Sequence, residues 1–423
     1  MIGDRLAVHG HLVTTAHACS LYPWAMQTGF GTAGMYIGRD HLAGGAPFCY
    51  DAFEAHRMGL VSNPNMFVMG KPGMRKSTLV KTMLWRQQGV YGNRRFVAIA
   101  DPKNEYAVLA DAMGLSRLSL APGGATRVNP LAGGPLDGSG EEGRARRQAQ
   151  MVEALVGTVL GRGLGEAEKT AVWSALAQVR ARVDNPILAD VVAALWNPTA
   201  EMLGALRRDE AAWQRDTEEV ALALEGMLAR TLRGMFDGDS TNIDWDGPGM
   251  VLDLSAVYSD PTALALVMIA VTGWWRELRG MAGRRQWVQV LDELWAVLRF
   301  LEVVAYVQES LKLGRNYGVA NILVAHRPSD LKAQANDGSA AAKIADGLLS
   351  DTATKVTLGQ DSGEIAEVAA RLGLRGPEAA VVERLVPGRA LWQIGGARLA
   401  VVQHHLGAEE MALVDTDAAM RAA

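Results

Sequence analysis

Cysteine is nearly absent from this chain. Cys19 and Cys49 are the only two in 423 residues, which excludes a disulfide scaffold and a four-cysteine zinc site and fits a reducing compartment. Long apolar runs are missing too. The nearest approach to a membrane span, Ala263 to Trp275 (ALALVMIAVTGWW), falls short of the roughly 20 residues that a bilayer requires. It reads as a buried helix, and no integral membrane segment is expected. There is no excess of positive charge: 42 Lys and Arg stand against 46 Asp and Glu, which argues against a globally basic nucleic-acid coat while allowing a local basic channel. The first residues, MIGDRLAVHG, lack the charged-then-apolar pattern of a secretion signal, so a cytoplasmic location is expected.

What is present is organised around Asn65 to Leu84, NMFVMGKPGMRKSTLVKTML. A short apolar strand runs into a Gly/Pro turn, and a helix opens at Lys76-Ser77-Thr78. This is the layout of a phosphate-binding loop, in which backbone N–H groups and a helix N-terminus surround an anion. Gly70, Lys71, Pro72, Gly73, Met74 and Arg75 would form the loop. Lys76 would reach the β and γ phosphates, and the Ser77 hydroxyl would ligate magnesium, with Thr78 beside it. One residue departs from the pattern. Arg75 stands where Gly is expected, immediately before the lysine. If that position needs a positive φ, the side chain costs of order 1 kcal/mol. If its dihedrals are ordinary, Arg75 can point outward or add charge beside the phosphates.

A second strand, Arg95 to Asp101 (RFVAIAD), ends in DPKNEY. Strand, loop, helix and strand make a βαβ unit with a parallel sheet, whose ligands lie beyond the strands' carboxyl ends. Asp101 is therefore a candidate binding residue, with a polar turn as the plainer alternative. From about Gly140 to Met235 the apolar residues recur at helical spacing, including Val152, Leu155, Val156, Val159 and Leu160, without a convincing strand. The α/β pattern returns at Gly249 to Ser255. Next, WVQVLDE ends in Asp292 and Glu293, which suit a magnesium shell and polarisation of the attacking water, respectively.

Arg315 reads either as a surface residue at a helix C-terminus or as an arginine finger for a neighbouring subunit. His326, at the end of the strand Asn321 to Ala325, is either a γ-phosphate sensor or a hydrogen-bonded structural histidine. Strands are expected at Thr354 to Leu358 and Leu391 to Ile394, the latter pairing through Gly395-Gly396 with Arg398 to Gln403 as a hairpin. His404-His405 reads as exposed. The first 62 residues read as a lead-in packing on the main domain, with strand-like pieces at Gly34 to Ile37 and Pro47 to Tyr50.

In order along the chain stand GKPGMRKS, DPKNEY, RVNPL, VLDE, GRNYG before AHRPSD, and TKVTLGQ. With a helical insertion among them, this series resembles the HerA/FtsK-type motor ATPases, and within them the conjugation ATPases of type IV secretion systems, especially their actinobacterial relatives. The resemblance implies an α/β fold: a RecA-like P-loop NTPase core with a mostly parallel sheet, interrupted by an all-α insertion domain. The implied division is a lead-in over 1–62, core over 63–138, insertion over 139–245 and core again over 246–423. It also implies ATP and Mg2+ as cofactors and ATP hydrolysis coupled to macromolecular transport. Lys76 and Ser77 would act on phosphate and magnesium, Asp292 and Glu293 on metal and water, and Arg315 as the trans finger. Implied partners are further copies in a hexameric ring, the proteins of a membrane-bound secretion or conjugation channel, and DNA. The location would be cytoplasmic, peripheral to the inner face of the cell membrane. An FtsK/TraG-like DNA translocase or coupling protein, or a nucleotide-regulated scaffold with little hydrolysis, are the alternatives. Relatives commonly carry Gln where His326 stands, and the large N-terminal docking domain of full-length secretion ATPases is reduced here to about sixty residues or absent.

Overall fold

The computed structural model describes residues 31–132, 140–241, 246–278, 285–293, 307–308, 311–312, 314, 317–326, 347–396 and 398–415. Its strands are β1 (Met35–Asp40), β2 (Ala46–Tyr50), β3 (Met66–Met69), β4 (Arg95–Asp101), β5 (Ser116–Ser119) and β6 (Gly249–Asp253), followed by β7 (Gln286–Leu291), β8 (Val319–Ala325), β9 (Thr354–Leu358), β10 (Arg389–Ile394) and β11 (Arg398–His404). They form one sheet in the order β2-β1-β11-β10-β9-β3-β8-β7-β4-β6-β5. From β9 to β5 every pairing is parallel. From β9 outward through β10, β11, β1 and β2 every pairing is antiparallel. The fold is thus α/β with a mostly parallel sheet.

The parallel strands are covered on both faces, which is why they carry near-continuous apolar runs. Every residue of β3, β4 and β8 is buried. The strand period of two divides β4 between two cores. Phe96, Ala98 and Ala100 point into one apolar cluster, and Val97 and Ile99 into the other. The second of these clusters takes Phe53 and Ala55 of α1 (Ala52–Arg57) and the buried face of α2 (Lys76–Tyr91), through Leu79, Val80 and Met83, together with residues of α3 (Ala107–Met113).

Between β5 and β6 the described residues form the helices α4 (Gly140–Leu160), α5 (Glu166–Arg180), α6 (Leu188–Trp196), α7 (Ala200–Leu206) and α8 (Glu210–Gly226). Val152, Leu155 and Val156 of α4 and Val172, Leu176 and Val179 of α5 are buried as their spacing requires. Val159 departs from that stripe and is exposed. The Trp213 indole donates to the Leu195 carbonyl at 2.8 Å, tying α8 to α6. The apolar cluster on this side runs without a break from the sheet into these helices by way of α9 (Pro261–Leu278). Ala263 to Val271 of α9 are buried, so this apolar stretch is a core helix. No helix among the described residues is long and apolar enough to cross a membrane.

The strand-like pieces of the lead-in, β1 and β2, do more than pack on the domain. They extend its sheet, with β1 pairing β11. The Gly395-Gly396 hairpin forms as expected, both glycines having positive φ. His404 is a correction: it is half-buried rather than exposed, and its Nε2 accepts from the Trp392 indole at 3.2 Å, while His405 is exposed.

Candidate active site

Gly70 follows β3 directly. A Cβ there would sit 2.7 Å from the Cβ of Leu358, so only glycine lets the loop cross the end of β9. The Gly70 N–H donates to the His326 carbonyl at 3.3 Å, and the Lys71 N–H to the Gly359 carbonyl at 3.1 Å. Lys71 also pairs with Asp361 at the surface. Pro72 and Gly73 are exposed, Gly73 having φ 79°. Met74 is buried beside Gly359.

Arg75 answers the question left open by the sequence. Its φ of 70° and ψ of 38° are left-handed, a conformation that costs an L-residue about 1 kcal/mol. The loop therefore has the backbone shape that glycine would adopt more readily. The Arg75 side chain lies beside Gly388 and lines a groove with Thr78, Leu79 and Met83. Arg75 is the N-cap of α2 and makes no side-chain capping bond. The first-turn N–H groups of Lys76, Ser77 and Thr78 have no intrahelical acceptor, and the helix dipole favours negative charge at this end.

Lys76 is buried. Its Nζ donates to the Gly70 carbonyl at 2.6 Å, the Lys71 carbonyl at 3.3 Å and His326 Nδ1 at 2.9 Å. Burial lowers its pKa to about 8, against the pull of Asp292 and Glu293. His326 Nε2 lies 2.8 Å from Glu293 Oε1. The tautomer that satisfies both contacts carries its proton on Nε2, accepting from Lys76 and donating to Glu293.

Asp292 and Glu293 form the turn at the end of β7, and both are buried. Asp292 Oδ1 accepts from the Glu293 N–H at 2.9 Å, and Oδ2 from the Tyr106 hydroxyl at 3.0 Å. Burial first, then Glu293 and Glu105, push the Asp292 carboxyl up to about 6. Burial would raise Glu293 as well, but hydrogen bonds from His326 and Lys103 outweigh it and hold that carboxyl at about 2. The Lys103 ammonium donates to the same Oε1.

These contacts form one chain: Lys103, Glu293, His326, Lys76. The residues follow β4, β7, β8 and β3, which are consecutive neighbours in the sheet. Parallel strands deliver their carboxyl ends to a single edge, and there four separate stretches of sequence meet.

Asp101 sits at that edge but turns inward. Its two oxygens accept from the Glu105 and Tyr106 N–H groups at 2.9 and 2.8 Å. The residues of DPKNEY that reach the cluster are Lys103 and Tyr106, neither of which sequence reasoning had singled out. Their signal was their place immediately after a parallel strand. Arg315 lies outside the described residues.

The residues fit a nucleotide with magnesium. Lys76 and the α2 N-terminus suit phosphate, and the Ser77 hydroxyl and Asp292 carboxylate are hard oxygen donors. No group of three or more His, Cys, Asp or Glu among the described residues forms a metal cage.

No family model matches the chain, and no curated protein matches it. Solved structures do. VirB4 of Thermoanaerobacter pseudethanolicus superposes with a TM-score of 0.73 at 18% identity, covering 91% of this chain and 100% of that one. The chain shares the fold of that VirB4. The conjugative coupling protein TrwB shares it: the unbound form gives a TM-score of 0.56 at 15% identity over 88% of this chain and 96% of its own. TrwB in complex with ADP and Mg2+ gives 0.58 at 16% identity over 86% and 88%.

Proposed function

We propose that the chain is an ATP-hydrolysing motor subunit that energises conjugative DNA transfer or type IV secretion. The observation that carries this is the continuous chain Lys103–Glu293–His326–Lys76 across four neighbouring strand ends, beside a left-handed loop capping α2. The VirB4 and TrwB folds support it, the latter solved with ADP and Mg2+.

In this reading the loop from Gly70 to Thr78 cradles the phosphates, and Lys76 exchanges its loop carbonyls for β and γ oxygens. Magnesium, held by Ser77 and Asp292, would neutralise phosphate charge. Glu293 orients the water that attacks the γ-phosphorus as the bond to the β-phosphate oxygen breaks, leaving ADP and phosphate. His326 links this carboxylate to the loop lysine, so a displaced Lys76 is felt at Glu293. Arg315 would enter a neighbour's site, which makes a ring, hexameric by resemblance, the active form. The helical insertion, about 139–245, would meet the transported substrate, and the ring would sit at the inner face of a membrane channel.

An ATPase titration against protein concentration, with and without DNA, tests this. Specific activity should rise with concentration and fall in an Arg315→Ala variant. Insensitivity to DNA identifies a secretion motor, and stimulation by DNA a translocase or coupling protein. Absence of turnover, with assembly that still depends on nucleotide, would replace the motor by a nucleotide-regulated scaffold.

A further inference from the structure

We propose that Lys103 is a sensor of the terminal phosphate, exchanging its bond to Glu293 for a γ-phosphate oxygen and so releasing the carboxylate that faces the attacking water. This rests on the ATPase reading of the site.

Lys103 and Glu293 start from adjacent places. Ala100 of β4 pairs with Leu291 of β7, so the two loops leave the sheet side by side. Both turns are held in an unfavourable conformation. Four non-glycine residues among those described have positive φ, and three surround this site: Arg75, Asn104 next to Lys103, and Glu293 itself. Left-handed backbone at such residues persists where the surroundings over-determine it, and it clusters at functional sites.

The pair is asymmetric in a way that suits exchange. Glu293 is 6% exposed in its side chain, whereas Lys103 is 33% exposed. The carboxylate is fixed, and the ammonium, on a four-carbon stem, borders the open side. The Tyr258 ring lies 5.6 Å from Lys103 Nζ and offers a weak second hold. Glu293 Oε1 also accepts from His326, so it keeps a donor when Lys103 leaves. The charges of Lys103 and Lys76 oppose each other across the cluster. A polyanion entering between them would relieve that repulsion, and in this proposal the terminal phosphate is the group that takes over Lys103 from Glu293.

The test uses the full chain with Mg2+ and calorimetric titration of either a non-hydrolysable ATP analogue or ADP. Wild-type protein should prefer the analogue. Lys103→Gln should weaken the analogue about tenfold, the worth of one charge-assisted hydrogen bond, and leave ADP unchanged. Lys103→Arg keeps the charge and should retain the preference. Equal effects of Lys103→Gln on both nucleotides, or none on either, would overturn the sensor role. Wild-type protein that binds neither nucleotide contradicts the ATPase reading itself, and this inference with it.

Discussion

Two buried clusters of charge sit at opposite ends of β4. At its start, Arg95 is held by Asp51 through two hydrogen bonds and by Gln286 through a third. Its guanidinium lies 3.5 Å from the Tyr91 ring centroid and 4.8 Å from that of Phe53. Asp51 in turn caps the helix Ala52–Arg57 by accepting from the Phe53 and Glu54 N–H groups. This pair is closed: 3% and 2% exposed, with aromatic rings beside the guanidinium. At the far end, Lys103, Glu293, His326 and Lys76 share partners. One carboxylate oxygen takes two donors, and one ammonium is divided among two carbonyls and a ring nitrogen. The first cluster joins the lead-in to the sheet. The second has contacts that a ligand can take over without leaving an orphaned charge.

The difference can be broken from either end. The largest effect belongs to the shared cluster: Glu293→Gln should lower turnover by about 10²–10⁴-fold while nucleotide still binds, and unchanged turnover would remove Glu293 from its role. At the closed cluster, Asp51→Ala strands a buried guanidinium and should cost about 3–5 kcal/mol in urea unfolding, without altering nucleotide affinity of the folded protein. A loss below about 1 kcal/mol would put this pair on the footing of a surface salt bridge.

A third effect is a pH slope. Burial pushes the Asp292 carboxyl up to about 6 in the folded chain, against 3.8 for the exposed group of the unfolded chain, so folding favours its protonated form. Its contribution is present below pH 3.8 and lost as pH rises through about 6. Glu293 has the opposite sign, contributing above 4.5 and losing this as pH falls toward about 2. Asp292→Asn should therefore flatten the decline in urea midpoint between pH 3.8 and about 6, and an unchanged slope would contradict that assignment. The smallest effect is at the loop. Arg75→Gly relieves left-handed strain of about 1 kcal/mol but gains unfolded-state entropy, leaving about 0.5 kcal/mol of stabilisation. A clear destabilisation would show that the arginine side chain holds the groove together.

Much of the parallel core was legible because its strands are short apolar runs ending in polar residues. Thr354 to Leu358 is a strand with the expected bounds, and Asp292-Glu293 falls in the turn after β7. Less legible was which polar residue at a strand end faces the site. Asp101 and Lys103 are two positions apart, yet the Asp101 oxygens are taken by their own turn, and Lys103 reaches across to β7. That choice is made by local backbone geometry and by a neighbour nearly two hundred residues away in sequence, which no local pattern encodes. His404 was misread for a similar reason, since its partner Trp392 lies across the hairpin.

The shared cluster is proposed to be a nucleotide site, with Lys76 as its phosphate-binding lysine. Calorimetric titration of wild-type protein and Lys76→Ala with Mg-ATP tests it most directly. Binding by the wild type that weakens at least about tenfold in the variant, the value of a lost charge-assisted contact, is the predicted result. No binding by the wild type, or equal affinity in both, would contradict it.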